Sequence, residues 1–301
     1  MALYYYTDFN TFKLILQNGT IRFKESTSSN DKTDTRLLFD YFIRAVDKRL
    51  KENKTEKQLE FVSNIFEKET KNTRRISLVS CYTELGDSRM LWDAYTMHRK
   101  NRGSKRYNGV CIEIDKEMLF TFLSLENSVF DWISIKPIEY GYEKMIPVIE
   151  KCIRDFNIQY NDLKDDLCQE QDLVSPLEVV AFSKKILLSF KKSIVLPTLN
   201  IMDIFEKNAP FYKHSFWMEE KETRALLSIN RNSKKFYMIP KDENKNYFWD
   251  LHIDNRVIRK VILGPEFNED DINEVKEIES VIDFKNLIIE KSNGTNIITN
   301  Q

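Results

Sequence analysis

Glycine and proline are scarce in this chain, seven of each in 301 residues, so it is neither collagen-like nor a low-complexity linker. The three histidines, His98, His214 and His252, lie far apart, and the four cysteines, Cys81, Cys111, Cys152 and Cys168, include no CxxC spacing, which argues against any metal site. The thiols in Leu78-Val79-Ser80-Cys81 and Val110-Cys111-Ile112 read as small core residues of a reducing compartment, with no catalytic role. No apolar run is long enough to cross a bilayer, and the opening MALYYYTDFN lacks the basic and apolar regions of a signal peptide. No membrane association and a cytoplasmic location are therefore expected. Charge has no bias either: 46 Lys and Arg against 47 Asp and Glu give a formal net charge of -1, which removes whole-chain attraction to nucleic acid and leaves only local patches.

What is present is a globular composition, 42% hydrophobic and 31% charged, with enough chain to bury a large core. Leu3 to Thr7 reads as a short strand, followed by a brief amphipathic helix through Phe12, Ile15 and Leu16 that stops at Asn18-Gly19, and then a return strand Thr20 to Phe23. Residues 26 to 34 form a polar loop, and residues 35 to about 71 read as one or two charged amphipathic helices. Ile76 to Thr83 is β-rich, Ser88 to His98 helical, and Tyr107 to Asp115 a strand with alternating faces. Ser134 to Tyr142 reads as another strand. Residues 143 to 207 show helical periodicity and form a helical insertion. Phe216 to Ile229 reads as extended, Val257 to Leu263 as a strong strand ended by Gly264-Pro265, and residues 269 to 280 as an acidic helix, with Phe284 to Glu290 closing the sheet. Without repeats or linkers, the expectation is one α+β domain over residues 1–301, with a mixed or antiparallel sheet and an insertion at 143–207.

Three segments are candidate sites. In Lys213 to Arg224 an extended backbone places Glu220, Glu222 and Arg224 on one face at period two: two carboxylates and a guanidinium, either a site or a self-paired exposed strand. In the second, Ser80 to Thr83 carries hydroxyls at a strand end just before Trp92 and Tyr95, spaced i,i+3, which either stack a planar ring or pack in the core. The third is Tyr4-Tyr5-Tyr6, where Tyr5 points opposite to its neighbours. The run Arg99 to Arg106, with five basic residues and no acid, either meets phosphate or is an exposed loop.

In order along the chain, Leu3-Tyr4-Tyr5-Tyr6-Thr7, Asn18-Gly19-Thr20-Ile21-Arg22, Asn30-Asp31, Met90-Leu91-Trp92-Asp93-Ala94-Tyr95, Gly109-Val110-Cys111-Ile112, the set Lys213, Trp217, Glu220, Glu222 and Arg224, and Ile262-Leu263-Gly264-Pro265 resemble the bacterial family called domain of unknown function 2971. More distantly, the order of an aromatic first strand, a hydroxyl-bearing middle strand and a late Glu-x-Glu resembles the ADP-ribosyltransferase superfamily and its split sheet, with Tyr5 standing where that layout carries a histidine.

The second resemblance implies an enzyme that cleaves NAD and transfers ADP-ribose to a protein or nucleic-acid acceptor, or hydrolyses it, in a setting such as phage defence or a toxin system. Glu222 is then the principal carboxylate, Glu220 the group that orients or deprotonates the attacking nucleophile, and Tyr5 the first-strand contact. Ser80, Tyr82, Trp92 and Tyr95 surround the nicotinamide end, and Arg224 positions Glu222 or meets the diphosphate. NAD is a substrate in this reading and no metal is needed. The alternative is a non-catalytic nucleotide- or nucleic-acid-binding module on the same scaffold, contacting its ligand through Arg99 to Arg106. Oligomeric state is not legible in the sequence.

Overall fold

Asp8 sets the first turn of the fold: it ends β1 (Ala2–Asp8) and caps α1 (Phe9–Asn18), its carboxylate accepting from the Thr11 backbone N–H at 2.9 Å. Gly19 closes that helix with φ 59°, a left-handed conformation that favours glycine, and its N–H returns to the Ile15 carbonyl. The expected stop at Asn18-Gly19 is thus observed, and β2 (Thr20–Glu25) follows at once.

This computed structural model describes residues 2–28, 37–52, 74–95, 109–169, 200–265, 273 and 287–293. The remaining elements, in order, are α2 (Leu37–Glu52), β3 (Arg75–Thr83), α3 (Arg89–Tyr95), β4 (Gly109–Asp115), α4 (Lys116–Leu125), β5 (Trp132–Pro137), β6 (Glu139–Tyr140) and α5 (Tyr142–Gln169). Helical residues 200–208, β7 (Tyr212–Lys213), β8 (Glu222–Asn230), β9 (Phe248–His252), β10 (Ile258–Leu263) and β11 (Ile288–Lys291) complete them. Expectations over residues 53–71, 99–106 and most of 269–280 fall outside the described residues. No described helix is long and apolar enough to cross a membrane.

The architecture is α+β, with a mixed, mostly antiparallel sheet. The chain divides into two compact units, one of residues 1–29, 75–138 and 216–301, the other of residues 30–74 and 139–215. In the first, nine strands among the described residues form one branched sheet. β8 takes one edge of β3 along its whole length, from Arg75 opposite Asn230 to Thr83 opposite Glu222. The other edge of β3 is shared: β2 pairs it at Leu78 and Val79, and β1 only at Thr83. The sheet forks there, running one way through β1, β4, β10 and the parallel β11, the other way through β2 and β9. Strand parity sends Leu3, Ile76, Leu78, Ile112, Leu227 and Ile229 to one face, where they pack with Phe12 and Leu16 of α1 and Leu119 and Leu123 of α4.

In the second unit α2 and α5 supply a separate core, with Phe42 edge-on to Phe205 at 5.0 Å and Met145, Ile149 and Met202 around them. The helical segment expected at 143–207 therefore has residues 30–74 in the same unit, and α5 begins one residue earlier, at Tyr142.

Two element expectations are corrected. The stretch read as one strand from Ser134 to Tyr142 is β5 and β6, which pair with different partners, β8 and β7. The stretch read as extended from Phe216 begins instead with a 3-10 turn, Ser215–Glu220, and the strand starts only at Glu222. Lys221 separates them with φ 43°, a left-handed conformation unusual for a residue with a Cβ.

Candidate functional site

The register of β3 against β8 sets Cys81 opposite Arg224 and Thr83 opposite Glu222, so these four residues share the face away from the main core. At the fork Tyr4 pairs with Thr83, which brings Tyr4 and Tyr6 of β1 to the same side. Over the junction of β1, β3 and β8 lies a small pocket, walled by Tyr4, Tyr6, Cys81 and Thr83 and, from α3, by Leu91 and Tyr95. Both Glu220 and Glu222 line it, and Tyr82 borders it from β3. Its volume is about 40 Å³. That holds a few waters and lies far below the roughly 300–1,000 Å³ of an ordinary ligand site.

Glu222 is buried, and Arg224 grips it with two nitrogens, Nε to Oε1 at 2.6 Å and Nη2 to Oε2 at 3.3 Å. The i,i+2 spacing on one strand allows this fork-to-fork geometry, which fixes both the orientation of the carboxylate and its charge partner. The guanidinium is itself buried and pairs with Glu222.

Glu220 reaches the pocket from the 3-10 turn, and the left-handed Lys221 is what aims both acids into one cavity. In an unbroken strand Glu220 and Glu222 would share a face by parity. Here the chain changes element between them and the turn at Lys221 performs that alignment instead. Glu220 is gripped twice: its carbonyl accepts from Thr83 Oγ1 at 2.7 Å, and its Oε1 accepts from the Tyr95 hydroxyl at 2.9 Å. Burial first, then the charges of Glu220 and Glu222, raise the Tyr95 phenol well above its ordinary value, so it stays protonated as the donor of that bond.

The loop before α3 is shaped by Tyr4 and Tyr6. The Tyr6 hydroxyl donates to the Leu85 carbonyl at 3.1 Å and accepts from the Ser88 N–H at 2.7 Å. A Cβ added at Gly86 would stand 2.7 Å from Tyr4 Cε1, so a side chain there would displace the ring that walls the pocket. Asp87 ties this loop down, accepting from Trp92 Nε1 at 2.9 Å, from the Ser292 hydroxyl and from the Asn293 N–H at 3.0 Å.

Of the residues singled out in the sequence, Glu220, Glu222, Tyr82 and Tyr95 border the pocket, and Arg224 adjoins it through Glu222. Three are not in it: strand parity turns Tyr5 and Ser80 to the other face, and burial closes off Trp92. Tyr5 points to the core face, where it packs with Tyr82 at 5.8 Å, and burial pushes its phenol up to about 12. Ser80 lies on that same face of β3 and is buried. Trp92 is 1% exposed, set edge-on to Tyr6 at 4.9 Å, so neither of its faces is open to a ligand ring. Tyr82 keeps its ring in the core, and burial drives its hydroxyl far above the ordinary range.

Tyr4, Tyr6, Thr83 and Leu91 fall within the candidate segments without a role of their own in the sequence reading, and Cys81 is the residue it excludes. That thiol was assigned to the core, yet it is exposed on the pocket wall, whereas Cys111 and Cys152 are buried with thiols pushed up to about 12 by burial. The signal was present: Ile76, Leu78, Ser80 and Tyr82 alternate with Ser77, Val79, Cys81 and Thr83, and the apolar set identifies the buried face. Residues 99–106 lie outside the described residues. Among the described residues no group of three or more His, Cys, Asp or Glu side chains is arranged to hold a metal ion.

Fold and site thus define an α+β protein with a forked sheet and a paired-carboxylate pocket at the fork. No family model, curated protein or solved structure matches the chain, so the reading of that pocket rests on its geometry.

Proposed function

We propose that the pocket is the reaction centre of an enzyme of the ADP-ribosyltransferase type, which cleaves the nicotinamide–ribose bond of NAD and passes ADP-ribose to a macromolecular acceptor or to water. The observation that carries this reading is the pair of acids in one tyrosine-walled cavity, Glu222 held bidentately by Arg224 and Glu220 held by Tyr95. When the bond from ribose C1′ to the nicotinamide nitrogen breaks, its electron pair leaves with neutral nicotinamide and positive charge develops on the ribose. A carboxylate preoriented beside that carbon stabilises the charge without reorganising, which is the role of Glu222. Glu220 accepts the proton of the attacking hydroxyl or water as the new C1′ bond forms. Tyr4 and Tyr95 supply the aromatic walls. At about 40 Å³ the cavity marks where the two acids converge, and the ribose and adenylate need room beyond it.

The test is release of nicotinamide from NAD by the wild type and by Glu222→Gln, followed by chromatography with calorimetry of NAD binding. Loss of roughly a hundredfold or more in the variant is expected, the scale of removing one group aimed at transition-state charge. Equal release by both proteins, or no binding of NAD by either, overturns the reading. The alternative, a non-catalytic nucleotide- or nucleic-acid-binding module, draws on Arg99 to Arg106 and predicts binding that survives Glu222→Gln.

A further inference from the structure

Tyr95 differs from the two buried residues of its helix. Leu91 and Trp92 of α3 are each 1% exposed, while Tyr95 is 47% exposed and still reaches the pocket with its hydroxyl. The two ends of its bond to Glu220 are unequal. The Glu220 backbone is fixed to β3 through Thr83, so the acceptor end is held by the strand. The donor end depends on a half-exposed ring. With that ring in the wall the cavity is too small for a sugar, although both carboxylates needed to handle one are in place.

We propose that Tyr95 is a latch, displaced from Glu220 by an entering ligand that carries hydroxyl groups, so that one movement of the ring widens the pocket and transfers the Glu220 oxygen from phenol to ligand. The ligand class follows from the acceptor that is uncovered. A ribose or other polyol replaces the lost O–H donor, whereas a purely apolar ligand leaves Glu220 Oε1 without that hydrogen bond and is disfavoured. The identification of this polyol as the ribose of NAD rests on the function proposed above; the latch itself does not.

Cys81 reports on the latch without any ligand, because it lies on the wall of the same pocket as the Tyr95 ring, and the rate of alkylation follows the surroundings of a thiol as well as its exposure. The experiment is alkylation by iodoacetamide, measured at Cys81 by peptide mass spectrometry in the wild type, Tyr95→Phe and Tyr95→Ala. Tyr95→Phe keeps the ring and removes only the hydroxyl. Both variants are expected to alkylate Cys81 faster, by roughly tenfold for the loss of one hydrogen bond to a carboxylate. The buried Cys111 stays unreacted in all three and shows that the variants are folded. Wild-type rates at Cys81 in both variants overturn the latch. NAD turnover is followed in parallel. Faster Cys81 alkylation with no nicotinamide release by any protein sinks the NAD reading and leaves the latch standing; release with unchanged Cys81 rates does the reverse.

Discussion

The two faces of the β3–β8 ladder are built from the same strands one residue out of phase, and they obey different rules. On one face Ile76, Leu78, Ala225, Leu227 and Ile229 are buried among other apolar side chains, where volume and shape decide the energy. On the other, Cys81, Thr83 and Glu222 face a cavity with Arg224 beside it, and Thr83, Glu222 and Arg224 have defined hydrogen-bond partners. The first face tolerates exchange of one hydrophobe for another of equal size. The second does not tolerate loss of a single partner, because the group left behind is buried and polar.

The largest effect is expected where that rule is broken most directly. Arg224→Met leaves Glu222 buried without its guanidinium and is expected to lower stability by about 3–5 kcal/mol in denaturant unfolding. A loss below about 1 kcal/mol would show that the pocket face behaves as solvent-exposed surface. On the core face Leu227→Ala removes a fully buried side chain and is expected to cost about 2–5 kcal/mol, while leaving the Cys81 alkylation rate at its wild-type value. An altered Cys81 rate would mean that the two faces are not independent.

A smaller effect is expected further along the pocket face on β4. Asp115 caps α4, accepting from the N–H groups of Glu117 and Met118 at 2.9 and 3.0 Å, and Arg259 donates to it. Burial alone would raise this carboxyl, but the Met118 N–H, Arg259 and the Glu117 N–H together hold it below the ordinary 3.8. A depressed carboxyl contributes stability above its unfolded value and loses it as pH falls through the folded one. Asp115→Ala is therefore expected to cost about 1 kcal/mol at neutral pH, with the difference shrinking below pH 3.8 in acid-unfolding curves.

The smallest effect belongs to the exposed counterpart of the Glu222–Arg224 pair. Arg22 on β2 meets Asp250 on β9 with two contacts of 2.7 Å, better geometry than the buried pair has, yet the Arg22 side chain is 50% exposed. Arg22→Ala is expected to change stability by less than about 1 kcal/mol. A loss approaching that of Arg224→Met would show that geometry, rather than burial, sets the difference between them.

Much of the sheet was legible because strands and turns leave local marks. The Gly19 stop, the alternation in β3 and the run Ile258 to Leu263 ended by Gly264 are all written within a few residues of where they act. The two acids were legible as well, but for a reason the structure replaces: they converge through a left-handed turn at Lys221, not through strand parity. The split of Trp92 from Tyr95 was not legible, since i,i+3 spacing places both on one side of a helix without saying how deep each sits. Which face of β3 holds the pocket depends on β1 joining at Thr83, a contact about eighty residues away along the chain.

The sequence by itself determined several of the described elements, among them β1, α1, β3 and β10, and the presence of two carboxylates and a guanidinium within five residues, because propensity, periodicity and spacing are local properties of the chain. Only the tertiary structure decided that Tyr95 rather than Trp92 meets Glu220, that Cys81 is exposed while Cys111 is not, and that Arg224 pairs with Glu222. Those outcomes follow from the fork in the sheet, where long-range pairing sets which side chains lose water and which are left to face a cavity.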